Sequence, residues 1–543
     1  MGHLLTLHDP RAATRYYERG LWREETFYGL LARHAALRPD AFAARDGARR
    51  LTWRELLAAV DGFARTLADA RLRPGDRVGM CLSNRIEALV GFIACSRNGY
   101  VCNPSLHRNY TAAEVATLLS AIDAQALLVE DGWGTGAAAD LPGLRRIYRL
   151  PPARGRGVDL PGSEGNAPID DNPDKVAYLA FTSGTTGLPK AVMHSDNTLL
   201  ANCRDLVRDW GHDHRTVLLT LSPLSHHIAW VAVGQALTAG MELVVDDPPP
   251  GMSRLDWIIE SGATYVMGVP THAMDVLAEQ QRRGIAKLGR VGLFYMAGAP
   301  IPKSVAERFL DQGIKPQNIY GMTENSSHQY THPDDDALTV CATCGRGGPA
   351  YEVRIFDQAD ADREVPPGTV GQIGGRGAAL MLGYFDNQAA TEASFNQGGW
   401  FLSGDLGVLD GRGNLKIVGR LKDIVIRGGH NIHPARVEEL ALKHPRIARA
   451  AAFGVADERL GEKLCLAVAI AGGAPPSAEE MLQHLFEAGL SKLDMPEHFI
   501  VLDAFPLTAS GKVLKRELAA WARDGRISPE PCRFAEKKRV EVQ

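Results

Sequence analysis

Apolar positions in the first part of the chain switch between two periods. Leu56, Leu57, Val60, Phe63, Ala64 and Leu67 recur at helical spacing behind Thr52-Trp-Arg-Glu55, a capping-box pattern, and Gly75 ends the run. Val78-Gly-Met-Cys-Leu82 reads as a strand, and helical runs follow from about Arg85 to Ser96 and from about Ala112 to Ile122. Ala126-Leu-Leu-Val129 is strand-like again, so strands and helices alternate as in a layered α/β domain. Residues 151–174 are rich in Pro, Gly, Asp and Arg with little periodicity and read as a surface connector into an apolar strand, Val176-Ala-Tyr-Leu-Ala-Phe181. Near residue 420 the texture changes from Gly- and Asp-rich short strands to a smaller α+β pattern. There Val437–Leu442 and Glu479–Leu490 read as helices, and Ala450–Val455 and Leu464–Ile470 as strands. The expected fold class is therefore α/β, with a large N-terminal domain of several α/β subdomains over 1–421 and a small α+β C-terminal domain over 422–543.

Composition narrows the partners. At 543 residues the chain is too long for one ordinary core. With 45% hydrophobic and 23% charged residues and a net charge of −4, it lacks the basic excess of a nucleic-acid binder. Eight cysteines scattered over the chain suit reduced thiols and a cytoplasmic setting. Cys341-Ala-Thr-Cys344 is a close pair without histidines at zinc-finger spacing, so coincidence is the simpler account than zinc. No apolar run reaches the ~18 residues of a membrane span, and His3, Asp9 and Arg11 stand where a signal peptide would be apolar.

Chemistry enters at Phe181-Thr-Ser-Gly-Thr-Thr-Gly-Leu-Pro-Lys190. Gly184 and Gly187 let the backbone approach an anion, Thr182, Ser183, Thr185 and Thr186 offer hydroxyl donors, and Lys190 adds a positive charge. These are features of a phosphate-binding loop, with ATP as the expected ligand. The Walker P-loop is excluded, because Pro189 stands where its second glycine belongs and Ala191 follows Lys190 in place of Ser or Thr.

Four later segments give the loop its context: Tyr320-Gly-Met-Thr-Glu324, Gly399-Trp-Phe-Leu-Ser-Gly-Asp405, Gly419-Arg-Leu-Lys-Asp423 and Pro506-Leu-Thr-Ala-Ser-Gly-Lys512. Together and in this order they resemble the acyl-adenylate-forming enzymes: acyl-CoA synthetases, adenylation domains and luciferases. The resemblance runs from about residue 25 to 518. It implies that Thr182, Ser183, Gly184, Thr185, Thr186, Gly187 and Lys190 surround the β- and γ-phosphates of ATP. It makes Glu324 the magnesium ligand, Thr323 an α-phosphate contact, and Gly321 and Met322 part of the same nucleotide segment. Gly298, Ala299, Pro300, Asn318 and Tyr320 become adenine walls. Asp405 and Arg420 become ribose or phosphate contacts, and Lys512 the cation that bridges the substrate carboxylate and the α-phosphate. The resemblance also places a hinge at Lys422, about which a mobile small domain would exchange Lys512 for a face bordered by Gly428 and Gly429, where the CoA thiol would enter. A plain tight turn is the competing account of those two glycines.

The acid pocket is assigned His226, His227, Trp230, Val269, Gly298 and Ser327, with His226 as the gate of the carboxylate; His227 fits a packed, hydrogen-bonded core histidine equally well. These side chains suggest a compact cyclic, aromatic or short- to medium-chain acid, cyclohexanecarboxylate being the specific expectation. Two departures from the family pattern stand out. Ala342-Thr-Cys-Gly345-Arg346-Gly347 replaces Gly-x-x-Gly-Arg-Pro, and Ser403 precedes Gly404-Asp405 where Thr is commoner. The expected activity is that of an acyl-CoA synthetase using acid, ATP, Mg²⁺ and CoA, often as a homodimer. A ligase that loads a free carrier protein is the second possibility, and a non-catalytic binding protein on the same fold the third. The joint presence of Lys190, Glu324, Asp405, Arg420 and Lys512 argues against the last.

Overall fold

A computed structural model describes residues 9–133, 143–152, 154–182, 189–507 and 513–534. The local signals become elements close to their expected bounds. Thr52 and Glu55 form the capping box of the helix Trp53–Asp69, and Thr111 with Glu114 forms that of Ala112–Ala121. The expected strands appear at Arg77–Cys81, Ala124–Glu130 and Val176–Thr182. The chain divides into two compact units, Met1–Val353 with Gly375–Phe401 and Gly411–Leu415, and Arg354–Gly374 with Leu402–Asp410 and Lys416–Gln543.

The larger unit is built on two sheets. One has the order Ser326–Tyr330, Lys315–Met322, Leu293–Ala297, Tyr265–Gly268, Val217–Thr220, Glu242–Val245, Phe42–Arg45, Arg50–Thr52, parallel throughout except for its two outermost pairs. The other has the order Gly383–Tyr384, Lys190–Ser195, Val176–Thr182, Val101–Asn103, Arg77–Cys81, Ala124–Glu130, Arg146–Leu150, antiparallel only at the two pairs made by Lys190–Ser195. Side chains alternate across a strand, so a sheet covered on both faces needs apolar residues at successive positions. Leu218, Leu243, Tyr265 and Tyr295 join the central core, while their neighbours Leu219, Val244, Val266 and Phe294 join a second one. In the other sheet Met80, Leu128 and Tyr178 face the central core, and Cys81, Leu127, Val129 and Leu179 face outward onto the helix Ala112–Ala121. The helices Phe27–Leu37, Trp53–Asp69, Ile86–Asn98, Asp196–Asp209 and His227–Ala239 are thus enclosed between the two sheets.

The smaller unit draws its first segments from a four-stranded sheet with the order Tyr351–Phe356, Gly371–Gly377, Phe401–Leu409, Leu415–Arg420. Its main body pairs the long strands Ile447–Asp457 and Gly461–Ile470 antiparallel. Leu464, Leu466 and Val468 face the helices Pro434–Ala441 and Ala478–Glu487, and Cys465 and Ala467 face Lys515–Arg523. The structure is thus mixed α/β with a large N-terminal and a small C-terminal domain. No helix among the described residues is long and apolar enough to cross a membrane.

Candidate functional site

In open parallel sheets, ligands bind beyond the carboxyl ends of the strands, where loops converge. Val217–Thr220 leads there into His226, Tyr265–Gly268 into Val269, Leu293–Ala297 into Gly298-Ala299-Pro300, and Lys315–Met322 into Thr323 and Glu324. Gly298 has φ +88°, and a Cβ placed on it would lie 4.0 Å from Val269 Cγ1, so these two loops are immediate neighbours. Gly298, Ala299 and Pro300 are exposed and Tyr320 is nearly buried. Behind Tyr320, 5.4 Å away and edge-on, lies His328, whose other face meets the Tyr351 ring at 4.2 Å. Burial pushes His328 down to about 3, and neither ring nitrogen has a hydrogen-bond partner among the described residues.

Asn318 does not present an open amide. Its Nδ2 donates to the carbonyls of Val340 and Thr343, both at 2.9 Å, so the side chain braces the segment that leads to Cys344. The departure from the family pattern has a backbone cause here. Gly347 has φ +66°, which proline cannot adopt, and a Cβ there would meet the His328 carbonyl at 2.2 Å.

Glu324 is buried and held twice: its carbonyl accepts from Met381 N at 2.7 Å, and its Oε1 accepts from the Tyr384 hydroxyl at 2.9 Å. Burial and the adjacent carboxylate push the Tyr384 hydroxyl well above the usual phenol range, which keeps it protonated and donating. The Lys190 ammonium stands 4.4 Å from the centroid of the same ring. Lys190 also pairs in register with Thr182, the last described residue before the glycine loop. Ser183, Gly184, Thr185, Thr186 and Gly187 lie outside the described residues, as does Lys512. Among the described residues no three His, Cys, Asp or Glu side chains are grouped so as to hold a metal ion by themselves. A metal at Glu324 would therefore draw on one carboxylate, with its other oxygens from phosphate and water, a donor set that fits Mg²⁺.

On the side expected to hold the acid, His226 caps the helix His227–Ala239, and its ring lies 4.4 Å from that of His107. His107 bonds Ser225 Oγ through Nδ1 at 2.9 Å, and burial pushes it down to about 4. His227 is part-buried and hydrogen-bonded at both ring nitrogens: Nδ1 meets the Tyr178 hydroxyl at 3.1 Å and Nε2 meets Ser326 Oγ at 3.0 Å. Trp230 is 1% exposed, packs 4.3 Å from the Phe92 ring and donates its indole N–H to Leu224 O, so it buttresses the loop from the core and lines no open surface. Ser327 is buried too, with its hydroxyl 2.6 Å from that of Tyr295.

In the smaller unit, adjacent strands bring Arg420 Nε to 3.0 Å from Asp405 Oδ1, uniting two positions that the motifs had named separately. Gly428 and Gly429, at φ +56° and +87°, form the two-residue turn of the hairpin in which Arg427 pairs with His430. The tight-turn account therefore holds for their backbone. Lys422 is exposed in a short 3₁₀ turn, Leu421–Asp423.

Sequence reasoning missed Tyr384, His194 and His107. Tyr384 sits in a two-residue edge strand, and His194 ends an apolar strand that ordinary core packing explains. His107 could have been flagged as a polar aromatic residue just past the strand Val101–Asn103.

Known proteins share this architecture. Residues 31–385 match the AMP-binding enzyme family, and residues 436–512 match the AMP-binding enzyme C-terminal domain. The chain is 30% identical to a medium-chain fatty-acid–CoA ligase of Escherichia coli (strain K12), over 94% of this chain and 93% of that protein. It is 32% identical to a feruloyl-CoA synthase of an Amycolatopsis species, over 90% and 97% respectively. Among solved structures, ATP-bound MatB from Rhodopseudomonas palustris superposes with a TM-score of 0.82 at 28% identity, covering 93% of this chain and all of that one (100%). The chain belongs to the AMP-binding enzyme family and is an adenylate-forming enzyme of the acyl-CoA synthetase type.

Proposed function

We propose that this enzyme activates a compact carboxylic acid with ATP and passes the acyl group to CoA. The observation that carries the reading is the convergence of Lys190, Tyr384 and Glu324, which gathers a cation, a neutral donor and a hard carboxylate at one place. A carboxylate is a poor acyl donor because oxide would have to leave. In the first half-reaction one carboxylate oxygen attacks the α-phosphorus, and the bond to the bridging oxygen breaks with loss of pyrophosphate. In the second, the CoA sulfur attacks the acyl carbon and AMP leaves. The first step brings two anions together, so fixed positive charge and donors at the phosphates carry most of the catalysis. Lys190 and the glycine loop face the leaving pyrophosphate. Glu324 would hold Mg²⁺, which would supply charge neutralisation at the phosphates. Thr323 contacts the α-phosphate, Tyr320 stacks the base, and Asp405 with Arg420 holds the ribose. Lys512 bridges carboxylate and α-phosphate in the first half-reaction, and Gly428–Gly429 borders the thiol path in the second, with Lys422 as hinge.

The acid is a cyclic, aromatic or short- to medium-chain carboxylate, with cyclohexanecarboxylate first in the panel to be tested. Relatives named for a medium-chain fatty acid and for ferulate bracket that range. The test assays acid-dependent pyrophosphate release and thioester formation with CoA or a free carrier protein as acceptor. Activity with CoA supports the reading, activity with carrier protein alone replaces it by a loading ligase, and none with any acid overturns it. In Lys512→Ala, pyrophosphate release should fall by about 100-fold or more while thioester formation from synthetic acyl-AMP stays near wild type. Equal loss of both half-reactions would overturn the two-face assignment.

A further inference from the structure

The turn that carries Glu324 is a strained element. Ser326, a non-glycine residue, sits at φ +56°, and a Cβ on Gly321 would fall 1.7 Å from the Ser326 carbonyl oxygen. Such a conformation is strained and persists only where surrounding groups fix it. Two imidazoles grip its ends. His194 is fully buried, and its Nε2 lies 2.7 Å from the Thr323 carbonyl, while its Nδ1 lies 3.0 Å from Thr198 Oγ1. A carbonyl only accepts, so Nε2 carries the proton and Nδ1 accepts from the Thr198 hydroxyl. The His227 ring stacks on His194 at 5.6 Å and 26°, and its Nε2 reaches Ser326 Oγ at 3.0 Å. Its Nδ1 is tied to the Tyr178 hydroxyl on the strand that leads to the glycine loop.

We infer that the stacked pair His194–His227 is a positioning element for Glu324, clamping the turn Thr323–Ser326 from both sides so that the carboxylate is set for the metal–nucleotide end of the site. The inference rests on the reading of Glu324 as the metal-holding carboxylate. Neither histidine touches the reacting atoms; each acts through the turn. The placement of His227 next to His226 also links the acid loop to the same turn through one residue.

The test measures binding, so that no acid need be known. Calorimetry of the full chain with α,β-methylene-ATP, with and without Mg²⁺, gives the metal-dependent gain in nucleotide affinity. His194→Gln, His227→Gln and Thr198→Val, the last removing the hydroxyl that meets the ring of His194 and also accepts from Ser195 N at the start of the helix Asp196–Asp209, should each lower this gain by about 10-fold while leaving the metal-free affinity unchanged. A gain equal to wild type in Thr198→Val and in whichever histidine variants fold would overturn the proposal, as would a parallel loss of metal-free and metal-dependent affinity. Glu324→Gln separates the two levels. Loss of the gain there with none in the clamp variants removes the clamp alone, whereas an intact gain in Glu324→Gln removes the metal assignment on which the clamp depends.

Discussion

A single side chain, Tyr384, bridges the Lys190 ammonium and the Glu324 carboxylate. Tyr384 donates to Glu324 at 2.9 Å while its ring lies under Lys190. A hydrogen bond to a carboxylate contributes about 1.5–3 kcal/mol, more than a neutral pair. Tyr384→Phe keeps the ring and the cation contact and removes that donor. We expect it to lower kcat/KM for pyrophosphate release by about 10- to 100-fold at limiting Mg²⁺, with partial recovery at high Mg²⁺. Thioester formation from preformed acyl-AMP should change by less than about 2-fold. Half-reaction kinetics across a magnesium series would check this, and a loss indifferent to magnesium would remove Tyr384 from the metal end. Glu324 was legible because it ends a recognisable motif. Tyr384 was not, since it lies 60 residues away and nothing in its local pattern speaks of that partner.

At the scale of elements, the hairpin Lys315–Met322 and Ser326–Tyr330 decides where the site residues stand. A register shift between Tyr320 and Met322 bends it, and the bend brings the Gly321 backbone against Ser326. Gly321→Ala therefore meets backbone and not a flexible side chain. We expect a loss of about 2–4 kcal/mol in urea unfolding, together with reduced nucleotide affinity. A midpoint within experimental error of wild type would mean that the strands slide apart to admit the methyl. The sequence reading found Tyr320-Gly-Met-Thr-Glu324 as a motif and its glycine as one of its letters. The requirement for that glycine comes from a strand that the motif does not contain. Asp405 and Arg420 show the opposite case, because a short hairpin between neighbouring strands brings them to 3.0 Å and local pairing suffices.

For the whole molecule, buried titratable groups pull the pH dependence of stability in two opposing directions over one acidic range. Asp205 is 2% exposed, and burial raises it from 3.8 to about 6 although Ala350 N and Arg208 donate to it. The folded state therefore holds a proton that the unfolded state has lost, so between pH 4 and 6 this group makes stability fall as pH rises, by up to about 3 kcal/mol. His107, His212 and His272 are held down to about 4 by burial, so each makes stability fall as pH drops from 6.5 towards 4. Over the shared range the three histidines outweigh the one aspartate, so Asp205→Asn should steepen the rise of stability between pH 4.5 and 6. Urea midpoints at pH 4.5, 6 and 7.5 would show it, and an unchanged slope above pH 4.5 would mean that Asp205 is ionised when folded.

Periodicity, caps and glycine-rich turns by themselves determined the elements, their alternation and the presence of two domains of different texture. They do so because helix and strand patterns record local burial, which each segment expresses on its own. The motifs likewise identified the family, since its chemistry demands particular side chains at short spacing. Only the tertiary structure placed His194 on Thr323 across 129 residues, His227 on Ser326 across 99, and Tyr384 on Glu324. It also assigned Asn318 and Trp230 to bracing and packing. Such pairings depend on which strand neighbours which and on how two sheets face a shared layer of helices. That order is set by the packing of the whole chain and leaves no mark on the segments it joins.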